Sequence, residues 1–365
     1  MPALTRIAIS GVRNIAEATL EFGPHFNLIY GSNGSGKTSL LEAIYLLGLG
    51  RSFRSHLQKP LINHERSEAI VFGQTADGLT LGLQRPQRGP QIIKIAGKPA
   101  EGLAQLSRTL PLQIIHSEAF ELLEGSPSER RRYLDWGVFH VEHQFLESWK
   151  RARTALEQRN QLLRMEATDA EIEPWSHELS LSAAVMDQCR QRYLGDLLQA
   201  LSTCLREIGT SAGTTPVEVR YERGWPEGGL FEQLQQNLAR DRRYGHTTLG
   251  PHKADLIFSV AGSDVAEVYS RGQLKVLVCI LKIVQSQHLA QTQGVTPLFL
   301  LDDLPAELDA ESRDKVCWLL ASLRAQVFIT SIEQEALTPI ARKQTKSHDL
   351  KMSLFHVKHG KIDAV

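Results

Sequence analysis

The stretch best suited to chemistry is glycine-rich and contains a lysine: GSNGSGKTS at positions 31–39. It fits the pattern G-x-x-x-x-G-K-[ST], in which glycines let the backbone surround phosphate groups. The lysine of this pattern reaches the β and γ phosphates, and the hydroxyl that follows ligates Mg²⁺. We therefore predict a site for a nucleoside triphosphate and Mg²⁺, with Lys37 as a catalytic residue and Thr38 as a metal ligand. The predicted nucleotide-binding residues are Gly31, Ser32, Asn33, Gly34, Ser35, Gly36, Lys37, Thr38 and Ser39.

The segments on both sides of this loop are those that the pattern requires. Phe26–Tyr30 is a short apolar run with strand character. After the loop, apolar residues recur at helical spacing between positions 40 and 47. A helix N-terminus directs its open amides and its positive dipole end at phosphates. A turn that matches the pattern by chance is the alternative, and the flanking strand and helix argue against it.

Two carboxylates follow a second buried-strand pattern, PLFLLDD at 297–303. A strand that delivers Asp at its carboxyl end supplies a ligand for a phosphate-bound metal. We assign Asp302 to Mg²⁺ and Asp303, a second catalytic candidate, to orienting or deprotonating the attacking water. The alternative is a strand capped by solvated acids, which the phosphate loop elsewhere in the chain makes less favourable.

The spacing of these motifs predicts an insertion. About 265 residues separate the lysine from the first acid, too many for a minimal phosphate-loop core. Up to about residue 115 the chain alternates short strands and turns, which predicts an antiparallel β layer. From residue 126 the pattern becomes helical. We therefore predict an α/β protein with one ATPase lobe, residues 1–125 and 246–365, and an inserted helical lobe, residues 126–245.

A third motif, YSRGQLK at 269–275, precedes a helical pattern. Ser270, Arg271, Gly272 and Gln273 place a hydroxyl and open amides at a helix N-terminus, which suits a γ-phosphate. A plain helix cap is the alternative. The motif resembles the signature of ABC-type ATPases, usually L-S-G-G-Q, and its order before the strand and acids matches that superfamily. The resemblance implies two subunits that enclose two ATP molecules, each signature contacting the nucleotide of the partner.

Two usual features of ABC-type ATPases are missing from their expected positions. QVFITS at 326–331 puts Thr330 or Ser331 where a switch histidine is usual. A glutamine at the Q-loop position is not evident either. Both departures argue against fast hydrolysis. The stretch Glu307-Leu308-Asp309 resembles the D-loop, which contacts the partner subunit in that superfamily.

Further stretches, spread from end to end of the chain, make the resemblance more specific. They are GVRNI around Asn14, GRSFR at 50–54, GSPSERRRYLDW at 125–136, TTLGPHKADL at 247–256 and LLDDLPAELD at 300–309. With the phosphate loop and the signature, they resemble the RecF family of bacterial recombination mediators, related to the heads of SMC chromosome proteins. The implied fold is an ABC-type, SMC-head-like P-loop ATPase core with an antiparallel β layer and an inserted helical lobe.

The resemblance implies an ATP-dependent DNA clamp that dimerises on ATP and acts in recombinational repair of gapped DNA. Its implied partners are gapped, double-stranded and single-stranded DNA, a second copy of the chain, and the RecR and RecO mediators. Its implied output is loading of the RecA recombinase, with slow, DNA-dependent ATP hydrolysis and links to replication and the SOS response. The ATPase subunit of an ABC transporter is the alternative, although that class predicts a smaller insert, a Q-loop and a switch histidine. A non-hydrolysing scaffold is a third hypothesis.

The candidates for DNA contact are local basic clusters, because Lys plus Arg and Asp plus Glu both number 41 in the whole chain. A local patch would contact mainly phosphate, with steep salt dependence. An ion-paired or solvated helix face is the alternative for each cluster. Arg51 and Arg54 could reach the nucleotide or form ordinary salt bridges. The DNA-binding candidates are Arg130, Arg131, Arg132, Lys150, Arg151, His252 and Lys253.

Length and composition are those of an ordinary globular protein: 365 residues, 42% hydrophobic and 22% charged. Four cysteines without a C-x-x-C pair predict buried or indifferent thiols rather than metal ligands. The first residues lack the apolar stretch of a secretory signal, and no stretch approaches 18 apolar residues. We therefore expect a cytoplasmic protein that does not engage a membrane.

Overall fold

The computed structural model of the chain describes residues 3–54, 61–208, 217–336, 343, 346 and 348–365. The chain divides into two compact units. The first contains Met1–Phe120 and Lys275–Val365, and the second contains Glu121–Leu274.

The first unit contains an antiparallel sheet near the N-terminus of the chain. Its strands are β1 (Leu4–Val12), β2 (Ile15–Glu21), β4 (Glu68–Thr75), β5 (Thr80–Pro86), β6 (Ile92–Ile95) and β7 (Lys98–Pro99). They are ordered β2-β1-β4-β5-β6-β7, and every neighbouring pair is antiparallel. Buried and more exposed residues alternate along β4, as expected for a sheet with one face on the core. The predicted antiparallel β layer is confirmed.

A second sheet of the first unit carries the phosphate-loop strand. Its strands are β3 (Phe26–Tyr30), β8 (Leu112–Ile115), β12 (Leu298–Leu301), β13 (Val327–Ser331), β14 (Met352–Lys358) and β15 (Lys361–Ala364). They are ordered β15-β14-β3-β13-β12-β8, and all neighbours are parallel except β14 and β15. Because parallel strands end at the same edge of a sheet, the carboxyl ends of β3, β13 and β12 lie side by side.

Among the described residues, the α-helices that lie wholly in the first unit are α1 (Lys37–Leu49), α2 (Leu103–Thr109), α11 (Leu304–Glu307) and α12 (Ala310–Ser322). Almost every side chain of α1 is buried, including Leu40, Ile44 and Leu47. They belong to one hydrophobic core that also includes Ile7 of β1 and Phe328 of β13. This packing fixes the start of α1, and with it the loop that precedes the helix.

The second unit is mainly helical and has a small sheet. Its helices are α3 (Glu121–Glu124), α4 (Pro127–Val141), α5 (Phe145–Arg164), α6 (Asp169–Ile208), α7 (Leu230–Gln236), α8 (Leu238–Tyr244) and α9 (Val265–Val268). The strands β9 (Val217–Glu222), β10 (Asp255–Val260) and β11 (Ser263–Asp264) form an antiparallel sheet in the order β11-β10-β9. The long helix α10 (Arg271–Gln293) begins at the end of this unit and continues into the first.

The predicted insert of residues 126–245 lies inside the second unit, which extends on to Leu274. The reason for the longer unit is β10, which pairs with β9 along its whole length, from Asp255↔Glu222 to Val260↔Val217. Backbone hydrogen bonds therefore tie this segment to the helical unit. The functional division into an ATPase lobe, 1–125 and 246–365, and an inserted lobe stays a prediction.

The four cysteines are buried free thiols, as the sequence predicts. Burial raises the pKa of Cys204, Cys279 and Cys317 to about 12, so these thiols are poor nucleophiles. Among the described helices, none combines the length and the apolar character that crossing a membrane requires.

Candidate nucleotide-binding site

The phosphate-binding loop connects β3 to α1, as the sequence pattern predicts. Gly34 and Gly36 have φ angles of 75° and 122°, in the region that side chains disfavour. A Cβ on Gly31 would lie 2.2 Å from the carbonyl oxygen of Val357 in β14. The loop therefore needs glycine for two reasons, its left-handed backbone and the close approach of a neighbouring strand.

Lys37 begins α1 and is only 7% exposed. Its Nζ donates hydrogen bonds to the carbonyl oxygens of Gly31 at 2.7 Å and Ser32 at 3.0 Å. Burial lowers the pKa of the ammonium group, and the carboxylates of Asp303 and Asp302 oppose that shift. The cation is thus held over the loop, where the pattern places the β and γ phosphates.

The two predicted metal ligands lie together. Asp302 follows directly after β12, and the Thr38 hydroxyl donates to its carboxylate at 3.0 Å to Oδ1 and 3.1 Å to Oδ2. A hydroxyl and a carboxylate are the hard oxygen ligands that Mg²⁺ prefers. The tertiary structure therefore brings the phosphate loop and the first acid into one site.

Thr330, one of the two residues predicted at the position of the missing switch histidine, connects the two acids. It is fully buried, and its Oγ1 donates to Asp302 Oδ1 at 2.7 Å. The same oxygen accepts the N–H of Asp303 at 2.7 Å. Asp303 itself has a φ of 50°, a left-handed conformation that aspartate tolerates better than most residues. The Thr330 hydroxyl thus orients the carboxylate of Asp302 and fixes the backbone of Asp303.

The carboxyl group of Asp303 has a raised pKa. Burial is the largest cause, the neighbouring Asp302 carboxylate adds to it, and Lys37 opposes it. Glu307, the last residue of α11, raises this pKa further. A carboxylate with a raised pKa is a better proton acceptor than an ordinary aspartate, which suits the general-base role predicted for Asp303.

These residues line a cleft of about 810 Å³, within the size range of small-molecule sites. Predicted nucleotide or metal residues on its wall are Asn33, Gly34, Gly36, Lys37, Thr38, Ser39, Asp302 and Asp303. Residues on the wall to which no nucleotide role was assigned are Arg13, Asn14, Ile62, His64, Ser117 and Glu307. Asn14 and Glu307 could have been predicted from the sequence, because they lie in stretches that mark the family. Ile62, His64 and Ser117 lie in no motif.

Two arginines on the wall of the cleft depend on one buried carboxylate. Arg13 donates through Nε and Nη2 to Glu42 of α1, at 2.7 Å and 2.8 Å, and Glu42 is 0% exposed. The hydroxyl of Ser52 also donates to Glu42, and it accepts the N–H of Arg54 at 3.0 Å. Glu42 therefore positions the guanidinium group of Arg13 directly. It positions the backbone of Arg54 through the hydroxyl of Ser52.

The residues of the cleft fit a nucleotide with Mg²⁺. Among the described residues, no group of three or more His, Cys, Asp or Glu side chains could hold a metal ion. Mg²⁺ in phosphate sites commonly takes one or two protein oxygens and completes its coordination with phosphate and water. Thr38 and Asp302 match that arrangement, and Lys37 with the start of α1 supplies positive charge and donors for phosphate.

The predicted signature forms the N-terminus of α10. The N–H of Ser270 donates to Gln273 Oε1 at 2.8 Å, and the N–H of Gln273 donates to Ser270 Oγ at 3.3 Å. This reciprocal pair is a capping box, so the cap that stood as the alternative is present. Ser270, Arg271 and Gly272 are nevertheless exposed, which leaves them accessible to a second subunit.

Arg130 and Arg131, two of the predicted DNA-binding residues, are partly buried and bond to the segment around β10. Arg130 donates to both carboxylate oxygens of Asp255, at 2.7 Å and 2.9 Å. Arg131 donates to the carbonyl oxygen of Ala254 at 2.7 Å. The ion-pair alternative therefore describes Arg130, and both arginines hold the segment around β10.

The other DNA-binding candidates differ in exposure and charge. Arg132, Lys150, Arg151 and Lys253 are exposed. Arg132 and Arg151 each pair with a glutamate, at 2.8 Å and 2.6 Å, but surface pairs of this kind are weak. Burial lowers the pKa of His252 to about 4, so its ring is neutral near pH 7. His252 therefore brings no cation to a DNA surface at that pH.

Comparison with known proteins gives a consistent family. A family model described as the RecF/RecN/SMC N terminal domain matches residues 3–349. The chain is 44% identical over 366 residues to the DNA replication and repair protein RecF of Pseudomonas aeruginosa (strain UCBPP-PA14), covering 99% of this chain and 97% of that protein. It is 43% identical over 366 residues to the protein of the same name from Stutzerimonas stutzeri (strain A1501), with the same coverage.

Solved structures agree with the sequence relatives. The structure described as the recombination mediator protein RecF-ATP in the RecFOR pathway has a TM-score of 0.84 and 28% identity, and the match covers 99% of both chains. The Smc head domain from Pyrococcus furiosus has a TM-score of 0.59 at 16% identity, covering 100% of this chain and 96% of that one, and shows the fold alone. The predicted fold class is confirmed. These comparisons give no support to a transporter ATPase.

Proposed function

This chain belongs to the RecF family, and we propose that it is an ATP-dependent DNA clamp in the recombinational repair of gapped DNA. The names of its relatives, a DNA replication and repair protein and a recombination mediator protein, support a role in repair and recombination. The relatives of known structure include RecF with ATP. The observation that carries the proposal is the joined site itself. Thr38 and Asp302 meet beside Lys37 in a cleft large enough for a nucleotide.

Within this site, each residue has a stated task. The N-terminus of α1 and the ammonium of Lys37 bind the β and γ phosphates of ATP. Thr38 and Asp302 hold Mg²⁺, which neutralises phosphate charge when bound. Asp303 accepts a proton from the attacking water. The Thr330 hydroxyl keeps the Asp302 carboxylate and the backbone of Asp303 in position. Hydrolysis is slow because neither Thr330 nor Ser331 supplies the imidazole that is usual at this position.

Dimerisation follows from the exposed signature. Ser270, Arg271, Gly272 and Gln273 contact the γ-phosphate of ATP held by a second copy. ATP that binds a composite site stabilises the dimer by mass action, so ATP converts monomers into a clamp and hydrolysis releases it. DNA contacts come from exposed cations such as Arg132, Lys150, Arg151 and Lys253. By family resemblance, RecR and RecO are its partners in the cytoplasm and RecA loading is its output.

The test is binding to gapped duplex DNA, with and without ATP, at two salt concentrations. We expect binding that requires ATP and weakens steeply with salt, since the contacts are to phosphate. Ser270→Arg should block ATP-dependent dimerisation and DNA binding while ATP binding to the monomer remains. Ser202→Arg is the control, because Ser202 is an exposed residue of α6. This substitution adds the same charge at a position outside the signature. Equal dimerisation of Ser270→Arg and wild type would contradict the two-subunit site.

Lys37→Ala tests the nucleotide site alone. Removing the cation over the loop should weaken ATP binding by about 100-fold, which corresponds to about 2.7 kcal/mol. The measurement is titration with a fluorescent ATP analogue, with folding checked by circular dichroism. Lys315→Ala is the control, because Lys315 forms a surface pair with Glu311 in α12 of the same unit. Unchanged ATP affinity in Lys37→Ala would remove the basis of the proposal.

A further inference from the structure

The phosphate loop is held from outside by two turns that lie near opposite ends of the sequence. The turn between β1 and β2 carries Asn14, and the turn between β14 and β15 carries Gly360. We propose that Asn14 and Gly360 are positioning residues for the nucleotide phosphates, because they fix the backbone of the loop in its binding conformation. This inference rests on the proposed nucleotide binding and names what sets its strength.

Asn14 bridges two points of the loop and its helix. Its Nδ2 donates to the carbonyl oxygen of Gly34 at 3.1 Å, and its Oδ1 accepts the hydroxyl of Ser39 at 2.8 Å. These contacts lie on either side of Gly36, Lys37 and Thr38, the residues that open α1. An amide side chain supplies a donor and an acceptor at once, which an ionised carboxylate does not. Asn14 therefore acts as a brace across the residues that face the phosphates.

Gly360 orients a backbone amide of the loop. Its N–H donates to the carbonyl oxygen of Ser35 at 2.7 Å. In a planar trans peptide the C=O of Ser35 and the N–H of Gly36 point in opposite directions. The bond from Gly360 therefore directs the N–H of Gly36 away from the β14–β15 turn, and Gly36 lines the cleft. Amides of this kind are the donors that such loops offer to phosphate.

The two supports and the loop pack too closely for an added carbon. Gly360 has a φ of 76°, and a Cβ there would lie 2.1 Å from the carbonyl oxygen of Asn14. A Cβ on Gly36 would lie 3.2 Å from the amide group of Asn14. A side chain at position 360 must therefore displace Asn14, and Asn14 is bonded to the loop. Nucleotide affinity should depend on a residue more than 300 positions away from the phosphate loop.

Gly360→Ala has a closely matched control. Gly97 lies in the turn between β6 and β7 with a φ of 77°, and a Cβ there meets nothing within 4 Å. Gly97→Ala therefore introduces the same left-handed strain without the contact to Asn14. The difference between the two variants reports the contact alone.

Asn14→Ala tests the second support and stands if Gly360→Ala fails to fold. Its control is Asn27→Ala, in the same unit. The Asn27 side chain accepts the N–H of Gly23 at 2.9 Å and donates to the carbonyl oxygen of Gly23 at 3.0 Å. Gly23 precedes β3, so these bonds lie at the end of the strand opposite the phosphate loop. Both variants lose hydrogen bonds of an asparagine side chain, but only Asn14→Ala removes bonds to the phosphate loop and its helix.

The measurement is the Kd for ATP, at a temperature where circular dichroism shows each variant folded, together with its Tm. We expect Gly360→Ala and Asn14→Ala to raise the Kd by about tenfold or more, and each control to stay within about twofold of wild type. A merely structural role would lower Tm and leave the Kd unchanged. Kd values equal to those of the controls would overturn this inference and leave the proposed function standing, whereas wild type that binds no ATP would overturn both.

Discussion

The nucleotide cleft of the first unit and the 247–254 loop of the second use charged residues in opposite ways. In the cleft, Lys37 and Asp303 line open space and have shifted pKa values, since burial disfavours their charges. In the second unit, Arg159 and Asp241 are both 0% exposed and pair at 2.8 Å. Charges that a motif places at a cleft remain available to a ligand. Charges buried among helices pair with each other and stabilise the fold instead.

Arginines from three helices hold the 247–254 loop. Arg131 of α4 donates to the carbonyl oxygen of Ala254 at 2.7 Å. Arg159 of α5 donates to the hydroxyl of Thr247 at 2.7 Å, and Arg190 of α6 donates to the carbonyl oxygen of Pro251 at 3.0 Å. The loop is therefore rigidly supported, and the basic residues that support it are not surface cations.

The largest expected effect is that of Arg159→Met, which should lower the free energy of unfolding by about 3–5 kcal/mol. The change leaves Asp241 buried without its cation, which is costly in a low-dielectric interior. Urea unfolding measures the loss, and the ATP affinity of the folded protein should not change. Arg153→Met in the same helix is the control, because Arg153 forms an exposed pair with Glu157. Equal losses in the two variants would break the contrast between the units.

A smaller effect concerns pH, since each unit contains a partly buried histidine whose pKa is lowered to about 4: His116 in the first unit and His252 in the second. Burial favours the neutral ring in the folded state, so between pH 6.5 and 4 the unfolded state binds more protons. Stability is therefore complete above pH 6.5 and falls as pH decreases toward 4, by about 2–3 kcal/mol per histidine. Urea unfolding at several pH values measures this slope. Replacing either residue by glutamine should flatten it, and an unchanged slope would contradict the assignment.

The smallest expected effect on stability is that of the exposed cations. Arg132→Ala and Arg151→Ala should each leave the free energy of unfolding nearly unchanged, because exposed ion pairs contribute little. Each lost phosphate contact should reduce the magnitude of the salt slope of DNA binding by about 1. Arg130→Ala is the contrasting variant, since its loss should appear in stability. A salt slope unchanged by replacing Arg132, Lys150, Arg151 and Lys253 together would place the DNA surface elsewhere.

The elements around the nucleotide site could be predicted because their signals are local. The strand Phe26–Tyr30, the glycine loop and the helix after it lie within one short segment, and each has a distinct pattern of residues. The acids and the signature were also placed at a strand end and a helix start, as observed. The antiparallel layer followed from short alternating strands and turns.

Other features depended on contacts between residues that are distant in the sequence. The basic clusters could not be divided into internal and exposed residues, because Arg130 finds Asp255 only when α4 packs on β10. The extent of the second unit, to Leu274, likewise depends on the pairing of β10 with β9. No pattern along the chain encodes such partners.

The sequence by itself determined the chemistry of the site, since the types and spacing of the glycines, Lys37, Thr38, Asp302 and Asp303 define a phosphate and metal site. Only the tertiary structure decided what supports it. Parallel strand pairing brings Thr38, Thr330 and Asp302 to one edge of the sheet. The turns that carry Asn14 and Gly360 then reach the loop from both ends of the chain. The reason is physical: a motif records local backbone geometry, whereas hydrogen bonds between distant segments exist only after the core has packed.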